Sequence, residues 1–147
     1  FGVSFSDTLN YQEMLEVNAF HKELKSSKYV KRVFSIINDR ELINTGLFPI
    51  SKRKLNLKND SLYTLTKRKI VQNQNNFISQ DGRKLLFLIE NESAMSKSDN
   101  QVFIDSLYST TLTDKMAEVY ISGRSPSELY FSKKVIQEFI ILTITSI

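Results

Sequence analysis

Between Phe1 and Ile37 the hydrophobic period of the chain switches from two to helical and back, which predicts a strand–helix–strand unit. Phe1-Gly2-Val3-Ser4-Phe5 alternates large apolar with small residues, the pattern of a half-buried strand. Asn10 precedes Glu13 by three residues, a capping box with Asn as the N-cap. Met14, Val17, Phe20 or His21, and Leu24 then recur at helical spacing, which predicts an amphipathic helix to about Ser26. Tyr29 to Ile37, rich in β-branched and aromatic residues, predicts the second strand.

The segment Asn38 to Asp60 is less regular. Gly46 and Pro49 punctuate it and Lys52 to Lys58 is polar and basic, so a short helix or a loop is expected. Ser61 to about Asn75 reads as a helix with a narrow apolar stripe of Leu62, Leu65 and Ile70. Asp81-Gly82 between Phe77-Ile78-Ser79 and Lys84 to Ile89 is a turn signal between two strands. The second of these is nearly continuous in apolar side chains and predicts a central strand covered on both faces. Ser98 or Asp99 can cap a helix through Phe103 and Leu107, and Met116 to Ile121 reads as the last strand, closed by Gly123. Ser125 at the N-cap, Pro126 at the first helical position and Glu128 at the third then predict a helix start.

That helix loses its charges from Phe139 to Ile147. The run is short of the roughly 20 residues needed to span a bilayer, yet apolarity rises towards the end. The expectation is a domain over residues 1–138 and the start of a transmembrane helix over 139–147. No initiator Met or signal peptide opens the chain, which fits a segment of a longer protein.

Composition narrows the chemistry. There is no cysteine, so disulfides and thiolate metal sites are excluded, and His21 is the single histidine, so no mechanism can use two imidazoles. Four glycines, all far apart, leave no phosphate-cradling loop. The net charge of +4 comes from basic residues interrupted by acidic ones, a weak nucleic-acid footprint best read as solvated faces. His21 reads as a boundary residue and Asp81 as a turn residue beside Gly82. Glu90 and Glu92 share a face at strand spacing, where a solvated strand end is a better account than an acid–base pair. No catalytic residue, cofactor site or metal site is expected; the informative positions are the turn and cap residues Asp81, Gly82, Gly123, Ser125, Pro126 and Glu128.

Three phrases, in order, carry a family likeness: Val30-Lys31-Arg32-Val33-Phe34-Ser35-Ile36, Phe77-Ile78-Ser79-Gln80-Asp81-Gly82-Arg83, and Val119-Tyr120-Ile121-Ser122-Gly123. With the apolar exit, they resemble the extracytoplasmic porter domain of the resistance-nodulation-division superfamily, in the exporter branch related to the mycobacterial large membrane proteins. The chain is too short for the two-part porter loop of the drug-efflux pumps. The resemblance implies a non-catalytic periplasmic segment of a proton-driven exporter in the bacterial inner membrane. Its partners would be a sister porter domain and the membrane helices of the same parent chain, with a lipid or hydrophobic small molecule passing through the cleft.

The expected fold is α+β, with ferredoxin-like βαβ units, a sheet of about four strands and helices packed on one face. The other face would be free to pack on a sister domain. An extracytoplasmic ligand-sensing domain of a membrane receptor is the alternative. A small RNA-binding module would need aromatic residues on the open face, and Phe87, with apolar neighbours on both sides, argues for burial instead.

Overall fold

A computed structural model describes residues 1–46, 48–93 and 95–145, with side chains as far as residue 138. Strand β1 (Gly2–Phe5) leads to helix α1 (Tyr11–Ser26), whose start is the capping box expected from the sequence. The Asn10 side chain accepts from the Glu13 N–H at 2.9 Å, and Glu13 Oε2 accepts from the Asn10 N–H at 2.7 Å. Met14, Val17, Phe20, His21 and Leu24 are its buried face. Strand β2 (Val30–Phe34) completes the first unit.

The next segment departs from expectation. Arg40–Asn44 (β3) and Pro49–Arg53 (β4) form an antiparallel hairpin instead of a loop or short helix. Every residue of both strands is exposed, so no burial periodicity marked them. Helix α2 (Asp60–Gln72) follows, capped by the Asn59 side chain on the Leu62 N–H. It is tied to the first unit by the Tyr63 hydroxyl, which donates to Leu9 O at 2.7 Å. Residues 77–79 form no strand of their own, although Phe77 O accepts from Leu86 N and Ser79 N donates to Lys84 O.

The apolar run Lys84 to Ile89 divides into β5 (Lys84–Leu86) and β6 (Leu88–Asn91). It is covered on one face only, against the expectation of a doubly covered strand: Leu85 and Phe87 are buried while Leu86 and Leu88 are exposed. Phe87 lies between the two strands and exchanges backbone hydrogen bonds with Phe1, donating to Phe1 O at 2.8 Å and accepting from Phe1 N at 3.1 Å. Helix α3 (Lys97–Tyr108) starts two residues earlier than the Ser98 cap implied, because Ser96 caps the Asp99 N–H. Strand β7 (Met116–Tyr120) and helix α4 (Arg124–Thr145) end the described chain.

The protein is therefore α+β, with four helices and several small antiparallel sheets among the described residues. The largest sheet has three strands in the order β5-β1-β7, beside the pairs β2-β6 and β3-β4, where about four strands in one sheet were expected. The core joins the sheet to α1 and α3. At its centre Phe1, Phe20 and Phe87 pack with ring centroids 5.5 to 5.7 Å apart, within the range of favourable aromatic pairing. The run expected to begin a membrane span is helical in backbone to Thr145; its side chains and residues 146–147 lie outside the described residues. No helix among the described residues is long and apolar enough to cross a membrane.

Candidate interaction face

Strand alternation gives the sheet two unlike faces. Val3, Leu85, Phe87 and Val33 point to the helices and are buried. On the opposite face, the register places Gly2 between Leu86 and Tyr120, and Phe34 beside Leu88. These large side chains are open to solvent: Tyr120 52%, Leu86 37%, Leu88 52% and Phe34 44%. They trace an apolar strip from β7 through β1, β5 and β6 to β2. At the Tyr120 end, Asn75 to Ser79 fold against the strip and close a depression of about 330 Å³ over Gly2 and Leu86.

Charge flanks the strip. Ser4 is paired in register with Lys84 and with Glu118 on one side. On the other, Glu90 lies 2.9 Å from the Lys31 ammonium and 3.4 Å from the Arg32 guanidinium. The hydrogen bond from Lys31 is the main cause holding the Glu90 carboxyl below its ordinary range, with the charges of Arg32 and Lys31 adding to it. A carboxylate kept ionised between two cations is a poor proton donor. Glu92 is exposed beyond the end of β6, so the two glutamates do not form an acid–base pair.

His21 is buried, with Nδ1 2.9 Å from Ser35 Oγ, and that hydroxyl also accepts from the Ile37 N–H. Burial, then the charges of Lys25 and Arg53, hold the imidazole below its ordinary pKa. It is a neutral core residue with a satisfied partner. No group of three or more His, Asp or Glu side chains that could hold a metal occurs among the described residues.

The turn and cap residues are placed as follows. Asp81 Oδ1 accepts from the Ser79 hydroxyl and from the Arg83 N–H, and those bonds, Ser79 first, lower its pKa. Gly82 takes φ +69°, where an added Cβ would also meet Thr8 Cγ2 at 3.6 Å. Gly123 takes φ +136° immediately before α4. The helix begins at Arg124, so Ser125 is already inside it. Ser125 Oγ accepts from Asn91 Nδ2 at 3.3 Å, and Glu128 pairs with Arg124 at 2.7 Å instead of reaching back to a cap. Gly123 O accepts from the Ser127 N–H, so the bend is made by the glycine, with Pro126 within the first turn.

No family model, curated protein or solved structure matches the chain. The sequence signal that could have revealed the face was present in Leu86 and Leu88, whose apolar character was assigned to a core.

Proposed function

We propose that this chain is a non-catalytic porter-like module of a proton-driven membrane exporter of the resistance-nodulation-division type, acting on the extracytoplasmic side. Its open sheet face packs against a sister domain, and the paired domains border a cleft for lipids or other hydrophobic molecules. The observation that carries this reading is the apolar strip Tyr120–Leu86–Leu88–Phe34, uncovered and bordered by charge. An apolar centre with a polar rim is the composition of a surface made to be covered.

The strand order supports the finer fold assignment. Continued through Phe87, β5 and β6 act as one strand between β1 and β2, giving the order β7, β1, β5/β6, β2 with every neighbour antiparallel. Two βαβ units interleaved in this way make a ferredoxin-like module. Helix α4 supports the connection to a membrane helix, since Tyr130, Phe131 and Ile136 are exposed along it. In such a module the work is conformational: rigid domains rock as membrane helices exchange protons.

The test is the reading frame on either side of the segment. An apolar span of roughly 20 residues before Phe1, another continuing from α4, and a later repeat of the whole pattern are expected. A frame with few spans followed by a cytoplasmic signalling domain would replace the exporter with the ligand-sensing receptor. A polar continuation or a stop codon after Ile147 would remove both.

A further inference from the structure

The hairpin β3–β4 and the C-terminal turn of α2 enclose a second cavity, of about 290 Å³. Lys52, Arg53, Lys54 and Lys69 line it against a single carboxylate, Glu41. Lys54 is compensated, 2.9 Å from Asp39. Lys52, Arg53 and Lys69 form no ion pair among the described residues. Glu41 faces Lys52 across the hairpin without closing one.

Two further features concentrate here. Arg40 and Arg53 stand directly opposite each other in the hairpin register, an arrangement that like charges disfavour. The rim residue Gln74 adopts φ +51°, alone among the described non-glycine residues, in the left-handed position that ends α2 just after its C-cap Asn73. That turn sets the side-chain amides of Asn73 and Gln74 at the cavity, and neither has a hydrogen-bond partner among the described residues. The carbonyl end of α2 opposes an anion with a partial charge of roughly −0.5, and together with the Glu41 carboxylate it stays short of the three cations. The positive field also reaches inward, since Arg53, after burial and Lys25, helps to hold His21 neutral.

The geometry points to an anion site between the β3–β4 hairpin and α2 that takes a phosphate group, with Arg53, Lys52 and Lys69 as its cations. The guanidinium offers a planar fork to two phosphate oxygens, and the two ammonium groups act as point charges. The amides of Asn73 and Gln74 supply neutral donors at the mouth. The phosphate can belong to a lipid headgroup or to a soluble phosphate ester. The site does not depend on the exporter reading.

The experiment uses the 147-residue chain, labelled with nitrogen-15 and titrated with inorganic phosphate at low ionic strength. Saturable amide shifts confined to residues 52–54 and 73–75 are expected, with at least tenfold weaker affinity in the Arg53→Gln/Lys69→Gln variant and no change in Lys133→Gln/Lys134→Gln. Flotation with vesicles of phosphatidylglycerol or of phosphatidylcholine separates the sources. Retention on the anionic vesicles that the double variant loses assigns a lipid headgroup, whereas phosphate shifts without retention assign a soluble ligand. Shifts that do not saturate, that spread over all basic surfaces, or that persist in a double variant with unaltered circular dichroism overturn the site. Lys52→Gln alone, on an exposed strand, gives the same comparison if the double variant loses its melting transition.

Discussion

At the residue scale, single groups in this protein are held by conformation and by burial, and each leaves a measurable signature. Gly82 sits at φ +69°, a left-handed conformation that costs a residue with a Cβ about 1–2 kcal/mol. The space around it is ordinary, so the backbone decides the outcome. Gly82→Ala is expected to lower the unfolding free energy by about 1 kcal/mol in urea titrations, and Gly82→Asn by less, because Asn tolerates that region. His21 gives a pH signature. Burial, with Lys25 and Arg53, holds its folded pKa below the ordinary 6.5, so the unfolded chain takes up the proton first. Stability is therefore undiminished above pH 6.5 and falls as pH drops below it, until the folded imidazole itself titrates. The urea midpoint is expected to fall from pH 7.5 to 5.5 and to fall less in His21→Gln. An equal fall in both would place the proton uptake elsewhere.

At the element scale, the difference between β5/β6 and β3/β4 decides what each contributes. Phe87 joins β5 to β6, is fully buried and contacts the rings of Phe1 and Phe20. Phe87→Ala is expected to destabilise the protein by roughly 3–5 kcal/mol, readable as a large shift of the urea midpoint. Neither strand of the hairpin buries a residue, and its amides are expected to exchange hydrogen far faster than those of β1. Comparable protection in the two would show a packing role for the hairpin. The same contrast explains what could be read from the chain. Helix α1 was legible because its cap and apolar stripe are local, and Asp81-Gly82 because the turn chemistry is confined to neighbouring atoms. The hairpin was not, because a strand without a buried side shows no alternation and Thr45-Gly46 carries no strong turn pattern. The start of α4 was shifted because Ser125-Pro126-Ser127-Glu128 has the composition of a cap, while Gly123 makes the bend two residues earlier.

At the scale of the whole molecule, one ambiguity governs the apolar strip: an apolar side chain looks the same in a sequence whether the chain itself or a partner covers it. The run Lys84 to Ile89 alternates in burial, with Leu85 and Phe87 inside and Leu86 and Leu88 outside, yet every residue after Lys84 is apolar. A strand exposed on one face and selected only for its own fold would carry polar residues at those outer positions. That Leu86, Leu88, Phe34 and Tyr120 fall on neighbouring strands of one face is information that only the register supplies. Leu86 and Leu88 are 37% and 52% exposed and lie outside the core cluster, so Leu86→Asp and Leu88→Asp should each cost the isolated chain far less stability than Phe87→Ala. In a parent protein where a sister domain covers the strip, the same substitutions bury an unpaired carboxylate, which costs several kcal/mol and should abolish domain pairing and transport. A mutant that is stable alone and inactive in the parent is the expected result. If both variants instead unfold the isolated chain, the strip belongs to the chain's own core; if both support full transport, no partner covers this face.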